Sequence, residues 1–263
     1  MERFYVKPEG FGPDRVRFSA GQVKYIRKVL RLQEGAEVAV TNGLGQAYLC
    51  RLRFLSREEA VGSLVSPLRE DNDPGLKVVL YQGIPKGDKM DQVVQKSVEL
   101  GVAEIVPLIT RRCVVRLEGG RMEERRQRWQ RIAASALEQS RRNFLPPVRE
   151  PLSLASALQE GRGDSPGGCP GGPGGGSLAF MPWEEEQSLG LWTFLEANPF
   201  PREVRVFIGP EGGFTREEAA EAAAAGVARV TLGKRILRTE TAGPAVLAMA
   251  LYHYGELGRG ERP

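Results

Sequence analysis

Residues 204–218 constrain this chain more than any other stretch. Val204-Arg205-Val206-Phe207-Ile208 is β-branched and aromatic, and it breaks into Gly209-Pro210-Glu211-Gly212-Gly213, so an extended run meets residues that cannot continue it. Thr215 follows, with Glu218 three positions on, the paired side chains of a helix capping box. Strand, glycine turn and helix therefore follow one another directly. Glycine lets a backbone approach a ligand closely, and turns at the carboxyl ends of parallel strands are where open α/β sheets bind ligands. The turn lacks the Lys and Ser/Thr of a P-loop, and no G-x-G-x-x-G follows a strand.

A second junction of the same kind comes next. Residues 227–232 read as a strand, run into a glycine loop over 233–241, and continue into an apolar helix over 242–254. The loop mixes Lys234, Arg235, Arg238 and Glu240 with Ile236 and Leu237. Apolar side chains of this kind can hold an adenine while backbone groups read its edge, which leaves the charged ones for substrate or for internal pairing.

Strands and helices alternate from Leu76 onward, the pattern of an α/β domain with a largely parallel sheet. Asp88 is placed to cap a helix that runs to Leu100, with Met90, Val93, Val94 and Val98 on one face and Gly101 as terminator. A helix over 121–142 buries Trp129, Ile132, Ala133, Ala136 and Leu137 and turns Arg128, Arg131, Ser135, Glu138 and Arg142 the other way. A solvated helix surface and an RNA-facing one fit that polar side equally well. Residues 1–72 read instead as short strands, with one helix over 20–30 and turn residues Thr41-Asn42-Gly43-Leu44-Gly45, which predicts a small β-barrel. Asp71-Asn72-Asp73-Pro74-Gly75 has linker composition. The expected division is thus 1–72 and 73–263, with a glycine- and proline-rich surface loop over 161–177.

Composition removes several classes of function. The three cysteines, Cys50, Cys113 and Cys169, are odd in number and far apart, which argues against disulfides and against a zinc motif. His253 is the sole histidine, so triad chemistry is disfavoured. No apolar run is long enough to span a bilayer and the first residues lack a signal-peptide core, so the expected location is the cytoplasm, with no membrane partner and no metal. Net charge is +4 but uneven: residues 111–150 hold eleven basic residues, all arginine, against five acidic ones. Arginine pairs bidentately with phosphate and stacks on bases, so the stripe marks a candidate nucleic-acid face.

Lys86-Gly87-Asp88-Lys89-Met90-Asp91, residues 96–101, Glu138-Gln139-Ser140, the 209–213 turn and residues 232–242, in that order, resemble the RsmE family of bacterial 16S ribosomal RNA uridine-N3 methyltransferases, in the SPOUT superfamily. The resemblance covers nearly the whole chain. It implies an α/β fold: a SPOUT-type trefoil-knotted methyltransferase domain preceded by a small PUA-like β-barrel that binds RNA. Sequence rules alone disfavour a knot. It also implies a homodimer with its active site near the subunit interface, and 16S rRNA of the small ribosomal subunit as partner. The donor, S-adenosyl-L-methionine, is then held by Ile208, Gly209, Pro210, Glu211, Gly212 and Gly213, by Leu232, Gly233, Ile236, Leu237, Arg238, Thr239 and Thr241, and by Met181 and Pro182 on a third side. There are two departures. Tyr25 stands about where the family usually has a histidine, and the loop over 161–177 looks like an insertion.

Methyl transfer to a uracil nitrogen needs an in-line approach and loss of the N3 proton, through a general base or through cations that stabilise the developing anion. Lys96, Glu138, Arg238 and Glu240 are the catalytic candidates, each also suited to a structural ion pair. Lys24, Arg27 and Arg31 near the N-terminus, with Arg128, Arg131 and Arg142, are the RNA-binding candidates. Three other readings remain: a non-catalytic RNA-binding ribosome assembly factor, a SPOUT methyltransferase acting on another RNA, and a nucleotide-dependent enzyme of doubly wound fold.

Overall fold

A computed structural model describes residues 1–70, 72–113, 119–160 and 176–258. Cys169 and all of the glycine- and proline-rich stretch except its last two residues lie outside them. The chain divides into two compact units, Met1–Asp73 with Ala134–Leu145, and Pro74–Ala133 with Pro146–Pro263.

In the first unit β1 (Arg3–Tyr5), β2 (Arg15–Arg17), α1 (Ala20–Lys28), β3 (Glu37–Thr41), β4 (Ala47–Leu55) and β5 (Ala60–Leu68) form a sheet in the order β1-β3-β4-β5-β2. Only the β1–β3 pair is parallel. The β4–β5 ladder is interrupted at Leu49/Cys50 and at Leu52/Phe54, irregularities that bend a strand pair. The concave face buries Phe4, Val16, Phe18, Ile26, Val38 and Leu52, with Phe4 and Phe18 edge-to-face at 5.6 Å. Cys50 lies in this core, where burial pushes its thiol up to about 12.

Helix α1 is shorter than its sequence pattern. Ser19 caps its start in a full capping box with Gln22, and Arg31, at φ +53, has left the helix. Lys24, Arg27 and Arg31 are all exposed. Residues 134–140 are the last turns of a long helix, and Arg141, at φ +59, ends it.

That early ending corrects the reading of Arg142. The residue is off the helix, its side chain is 3% exposed, and its Nε donates to Asp73 Oδ1 at 2.7 Å. Asp73 also accepts from the Asn143 and Phe144 N–H groups, both at 2.9 Å. Arg3 is buried beside it and donates to the Arg141 carbonyl at 2.7 Å and to Glu70 at 2.9 Å. Arg142 is therefore an internal structural cation of this unit.

The second unit contains β6 (Lys77–Gly83), α2 (Lys89–Leu100), β7 (Glu104–Ile109), α3 (Gly119–Ser140, up to Ala133), β8 (Leu152–Ser153), α4 (Leu154–Glu160), β9 (Ser177–Pro182), α5 (Leu191–Glu196), β10 (Glu203–Ile208), α6 (Arg216–Ala224), β11 (Ala228–Val230) and α7 (Thr239–His253). Its six strands are all parallel, in the order β11-β9-β10-β6-β7-β8. Parallel sheets are covered on both faces, and the period-2 alternation of β6 shows how. Val79 and Tyr81 join a cluster with Leu154 and Leu158 of α4 and Ala219 and Ala222 of α6, where Tyr81 stacks on Phe207 at 4.4 Å. Leu80 and Gln82 meet Gly243 of α7 instead.

Helix α2 buries the expected Met90, Val93, Val94 and Val98, and Gly101 ends it at φ +111. Asp88 makes no capping hydrogen bond; its carboxylate faces Arg128 Nη1 at 3.4 Å. The strand expected over 227–232 is only Ala228–Val230, and α7 begins at Thr239 rather than at Ala242, with Arg238 at the N-cap. The polar Thr239-Glu240-Thr241 turn that reads as loop is the first turn of the helix, where Glu240 also favours the helix dipole.

Candidate active site

Strand order and chain order part company at β10, which inserts between β9 and β6. Because the strands are parallel, the loops that follow β9, β10 and β11 leave the same edge of the sheet, where ligands bind in folds of this kind. Those loops and the start of α7 line a cleft of about 1030 Å³.

The glycine turn after β10 is held by close backbone packing. A Cβ on Gly83, at the end of β6, would fall 2.5 Å from the Pro210 nitrogen, and one on Gly209 would fall 3.0 Å from Gly213. Gly213 adopts φ +66, a conformation that favours glycine, and its N–H donates to the Pro210 carbonyl at 2.9 Å. From α7, Thr239 Oγ1 donates to the Gly209 carbonyl at 2.6 Å and accepts from Gln82 Nε2 at 2.9 Å. One hydroxyl thus joins β6, the glycine turn and α7. Gln82 Oε1 is buried with no hydrogen-bond partner, a polar atom left free at the ends of the central strands.

Three ionisable groups converge in the cleft. Lys89 Nζ lies 3.2 Å from Glu211 Oε1 and 3.4 Å from Glu240 Oε2, and the Lys86 N–H donates to Glu211 at 3.0 Å. The hydrogen bond to Glu211 raises the Lys89 ammonium above its ordinary value. Burial works against ionisation of Glu211, but hydrogen bonds from its own N–H, the Lys86 N–H and Lys89 outweigh it and hold the carboxyl low. Glu240 Oε2 is enclosed, and among the described residues its ion pair is the one with Lys89. On the outer wall Lys234, Arg235 and Arg238 are exposed, and Ile236 is 88% exposed.

Most residues expected to hold a donor line this cleft: Pro182, those of 208–213, Leu232, Gly233, and Ile236 to Thr239. Glu240 lines it as well, among the catalytic candidates. Met181 does not; it is fully buried in the sheet core next to Phe207 and Phe214. Thr241 is exposed on α7, its N–H spent on the Arg238 carbonyl. Lys96 is paired with Glu99 at 2.8 Å on α2, away from the cleft lining. Glu138 belongs to the first unit, where it accepts from the Tyr5 N–H at 2.8 Å and burial raises its carboxyl. Arg128 is exposed but ion-paired with Asp91 and Asp88, and Arg131 is exposed.

Sequence reasoning missed Gln82, Trp183 and Glu186. Gln82 carried a signal, as the single amide in a strand that is otherwise apolar after Lys77. Trp183 follows β9, lines the cleft and lies under the Arg229 guanidinium at 5.3 Å. Glu186 accepts from the Ser188 hydroxyl and from the N–H groups of Ser188 and Leu189, which hold its carboxyl down at about 2. Among the described residues no group of three His, Cys, Asp or Glu side chains is arranged to hold a metal, and no helix is long and apolar enough to cross a membrane.

Comparison with known proteins agrees with this geometry. Residues 72–251 match the family model of the RNA methyltransferase domain, and residues 18–65 match the RNA methyltransferase PUA domain. The ribosomal RNA small subunit methyltransferase E of Synechocystis sp. is 33% identical over 246 residues, 94% of this chain and 76% of that protein. Its counterpart in Bacillus subtilis is 30% identical over 245 residues, 92% of this chain and 91% of that one. The crystal structure of a ribosomal RNA small subunit methyltransferase E from Neisseria gonorrhoeae bound to S-adenosyl methionine superposes with a TM-score of 0.84 at 34% identity, covering 98% of this chain and all of the other. The α/β fold with a PUA-like first unit is the one expected from the motifs. On domain models, whole-length relatives and superposition together, the chain belongs to the RsmE family of RNA methyltransferases.

Proposed function

We propose that this protein transfers a methyl group from S-adenosylmethionine to N3 of a uridine in 16S rRNA of the small ribosomal subunit. The observation that carries the donor is the cleft itself. Glycines 209, 212 and 213 leave bare backbone along one wall, Ile208, Leu232 and Leu237 supply apolar surface for an adenine, and Glu240 Oε2 is an enclosed acceptor beside Lys89. That lining suits a ligand with a flat aromatic base, hydroxyls and an ammonium. When bound, S-adenosylmethionine supplies an activated methyl group on a sulfonium, and the protein's part is to orient the acceptor and manage one proton.

Glu240 is the base we assign for the uracil N3 proton, since its Oε2 is enclosed in the cleft and pairs with Lys89 at 3.4 Å. Arg238, exposed on the rim with no ion pair among the described residues, is placed to stabilise the developing charge on the uracil oxygens. Lys96 and Glu138 take the structural roles that their ion pair and hydrogen bond describe. We assign the first unit, with Lys24, Arg27 and Arg31, and Arg131 of α3 to RNA binding, which fits the match to a PUA domain.

The working form we propose is a homodimer in the cytoplasm. Thr241, Ala245, Ala248, Met249 and Tyr252 form an outward stripe of α7 without a charge, beside the exposed Trp192 that meets His253 edge-on at 5.4 Å. A helix apolar on all sides calls for cover. Sedimentation at increasing dilution checks it, with Tyr252→Lys expected to favour the monomer.

The test of function is titration of the purified protein with S-adenosylmethionine by calorimetry, followed by nucleoside mass spectrometry of small-subunit particles treated with enzyme and donor. One site per subunit and new 3-methyluridine are expected. Absence of donor binding leaves the RNA-binding assembly factor, and label found only on another RNA leaves a SPOUT methyltransferase of different target.

A further inference from the structure

The loop after β7 carries Arg112, which is outside the cleft lining and outside every motif that points to the donor. Its Nη1 donates to the Gly212 carbonyl at 2.6 Å. Its stem packs on the same glycine, where an added Cβ would fall 3.2 Å from Arg112 Cβ and 3.3 Å from Arg112 Cδ. On the next residue a Cβ would fall 2.7 Å from Glu184 Oε1, and that carboxylate is 4.0 Å from Arg112 Nη1. The Gly212-Gly213 turn is therefore gripped between a residue that follows β7 and one that follows β9.

The grip is anchored from behind. The Arg111 N–H donates to Glu218 Oε1 at 2.7 Å, and the same carboxylate, almost fully buried, accepts from the Thr215 N–H through Oε2 at 2.9 Å. The Cys113 N–H closes the turn on the Thr110 carbonyl at 3.1 Å. Arg112 thus reaches Gly212 from a fixed backbone, so its hydrogen bond is charge-assisted and preorganised.

We infer that Arg112 is a positioning residue for the methyl-donor site, acting through the Gly212 carbonyl to hold the glycine turn in its donor-accepting shape. The inference rests on the donor reading of the cleft. Loss of this bond frees a turn in which Gly212 and Gly213 have no side chains of their own to restrain them.

Calorimetric titration of S-adenosylmethionine into wild type, Arg112→Met, Arg112→Lys and Arg111→Gln tests it. Arg112→Met is expected to bind donor about tenfold more weakly, as loss of one charged hydrogen bond implies. Arg112→Lys should recover part of that loss, and Arg111→Gln, which removes the same charge from a side chain that pairs with Glu217 and Glu221 but keeps the backbone N–H that anchors Glu218, should bind as wild type does. Amide exchange at Gly213 and Phe214 should quicken in Arg112→Met while KM for RNA stays unchanged. Wild-type affinity in Arg112→Met, or a rise in KM for RNA without a change in donor affinity, overturns the inference. If Arg112→Met does not fold, donor affinity of Arg112→Lys equal to that of wild type overturns it as well. Failure of the wild type to bind donor is a separate result, and it removes the donor reading instead.

Discussion

Thr239 Oγ1 donates to the Gly209 carbonyl at 2.6 Å, so the first residue of α7 fixes the first residue of the glycine turn. The same hydroxyl accepts from Gln82 Nε2. Thr239→Val keeps the shape and deletes both bonds, which leaves the Gly209 carbonyl without this donor. Buried polar groups stripped of a partner cost about 1–3 kcal/mol. Urea denaturation should show a loss of that size, and donor titration a weaker site. An unchanged midpoint means that water replaces the hydroxyl without cost.

Gly83→Ala should be harder to accommodate. The new methyl would meet the Pro210 nitrogen at 2.5 Å and the Gly209 carbonyl carbon at 2.8 Å, both backbone atoms that cannot rotate away. Overpacking of this kind costs about 1–3 kcal/mol, and here relief requires moving the donor turn. Thermal denaturation and donor affinity should therefore fall together. A stable variant with normal affinity would show that the strand end yields instead.

Two arginines in one stretch of sequence should behave in opposite ways. Arg142→Met strands the half-buried Asp73 carboxylate, and breaking a buried pair costs about 3–5 kcal/mol. Arg131→Gln, on an exposed face, should leave stability alone and, if that face meets RNA, lower the slope of binding affinity against salt by about one unit of log–log dependence. Denaturation curves and filter binding across salt concentrations separate the two. A salt slope unchanged in Arg131→Gln takes that residue out of the RNA face.

Glu186 gives the loop after β9 a pH dependence with a definite sign. Hydrogen bonds from Ser188 and Leu189 hold its carboxyl at about 2 against an ordinary 4.5. A depressed carboxyl stabilises the fold in full above the ordinary value and loses that contribution as pH falls toward the folded one. Glu186→Gln should thus lower the melting temperature near neutral pH, and the gap to wild type should close between pH 4.5 and about 2. A gap that does not vary with pH contradicts the assignment. The residue is on the surface, so the effect should be small.

The strand–turn–helix of residues 203–224 was legible because every signal there is local: β-branched strand, glycines, capping box. The same holds for α2 and its Gly101 terminator. Arg142 was misread because the helical pattern ran through it, while the left-handed turn at Arg141 depends on Asp73, far away in sequence, which accepts the exposed N–H groups. Lys89 lies in the Lys86-Gly87-Asp88-Lys89-Met90-Asp91 motif, yet nothing in spacing says that it meets Glu211 and Glu240. Trp183 reaches the cleft, and Gln82 reaches the Thr239 hydroxyl that borders it, through strand order, which local patterning does not encode. The insertion of β10 between β9 and β6 is a property of the whole chain.

Helix α7 packs on β6 and β10, yet it follows every strand of the sheet in the chain. During synthesis the central strands emerge first with one face bare, and they stay so until residues 239–253 have cleared the exit tunnel. Native pairing of β10 with β6 also spans a long sequence separation, which slows closure. The part of the sheet face that α7 covers therefore stays open until the end of translation. A stop codon before Thr239 would release a chain whose central sheet face never closes, and proteolysis rather than residual activity should be its fate.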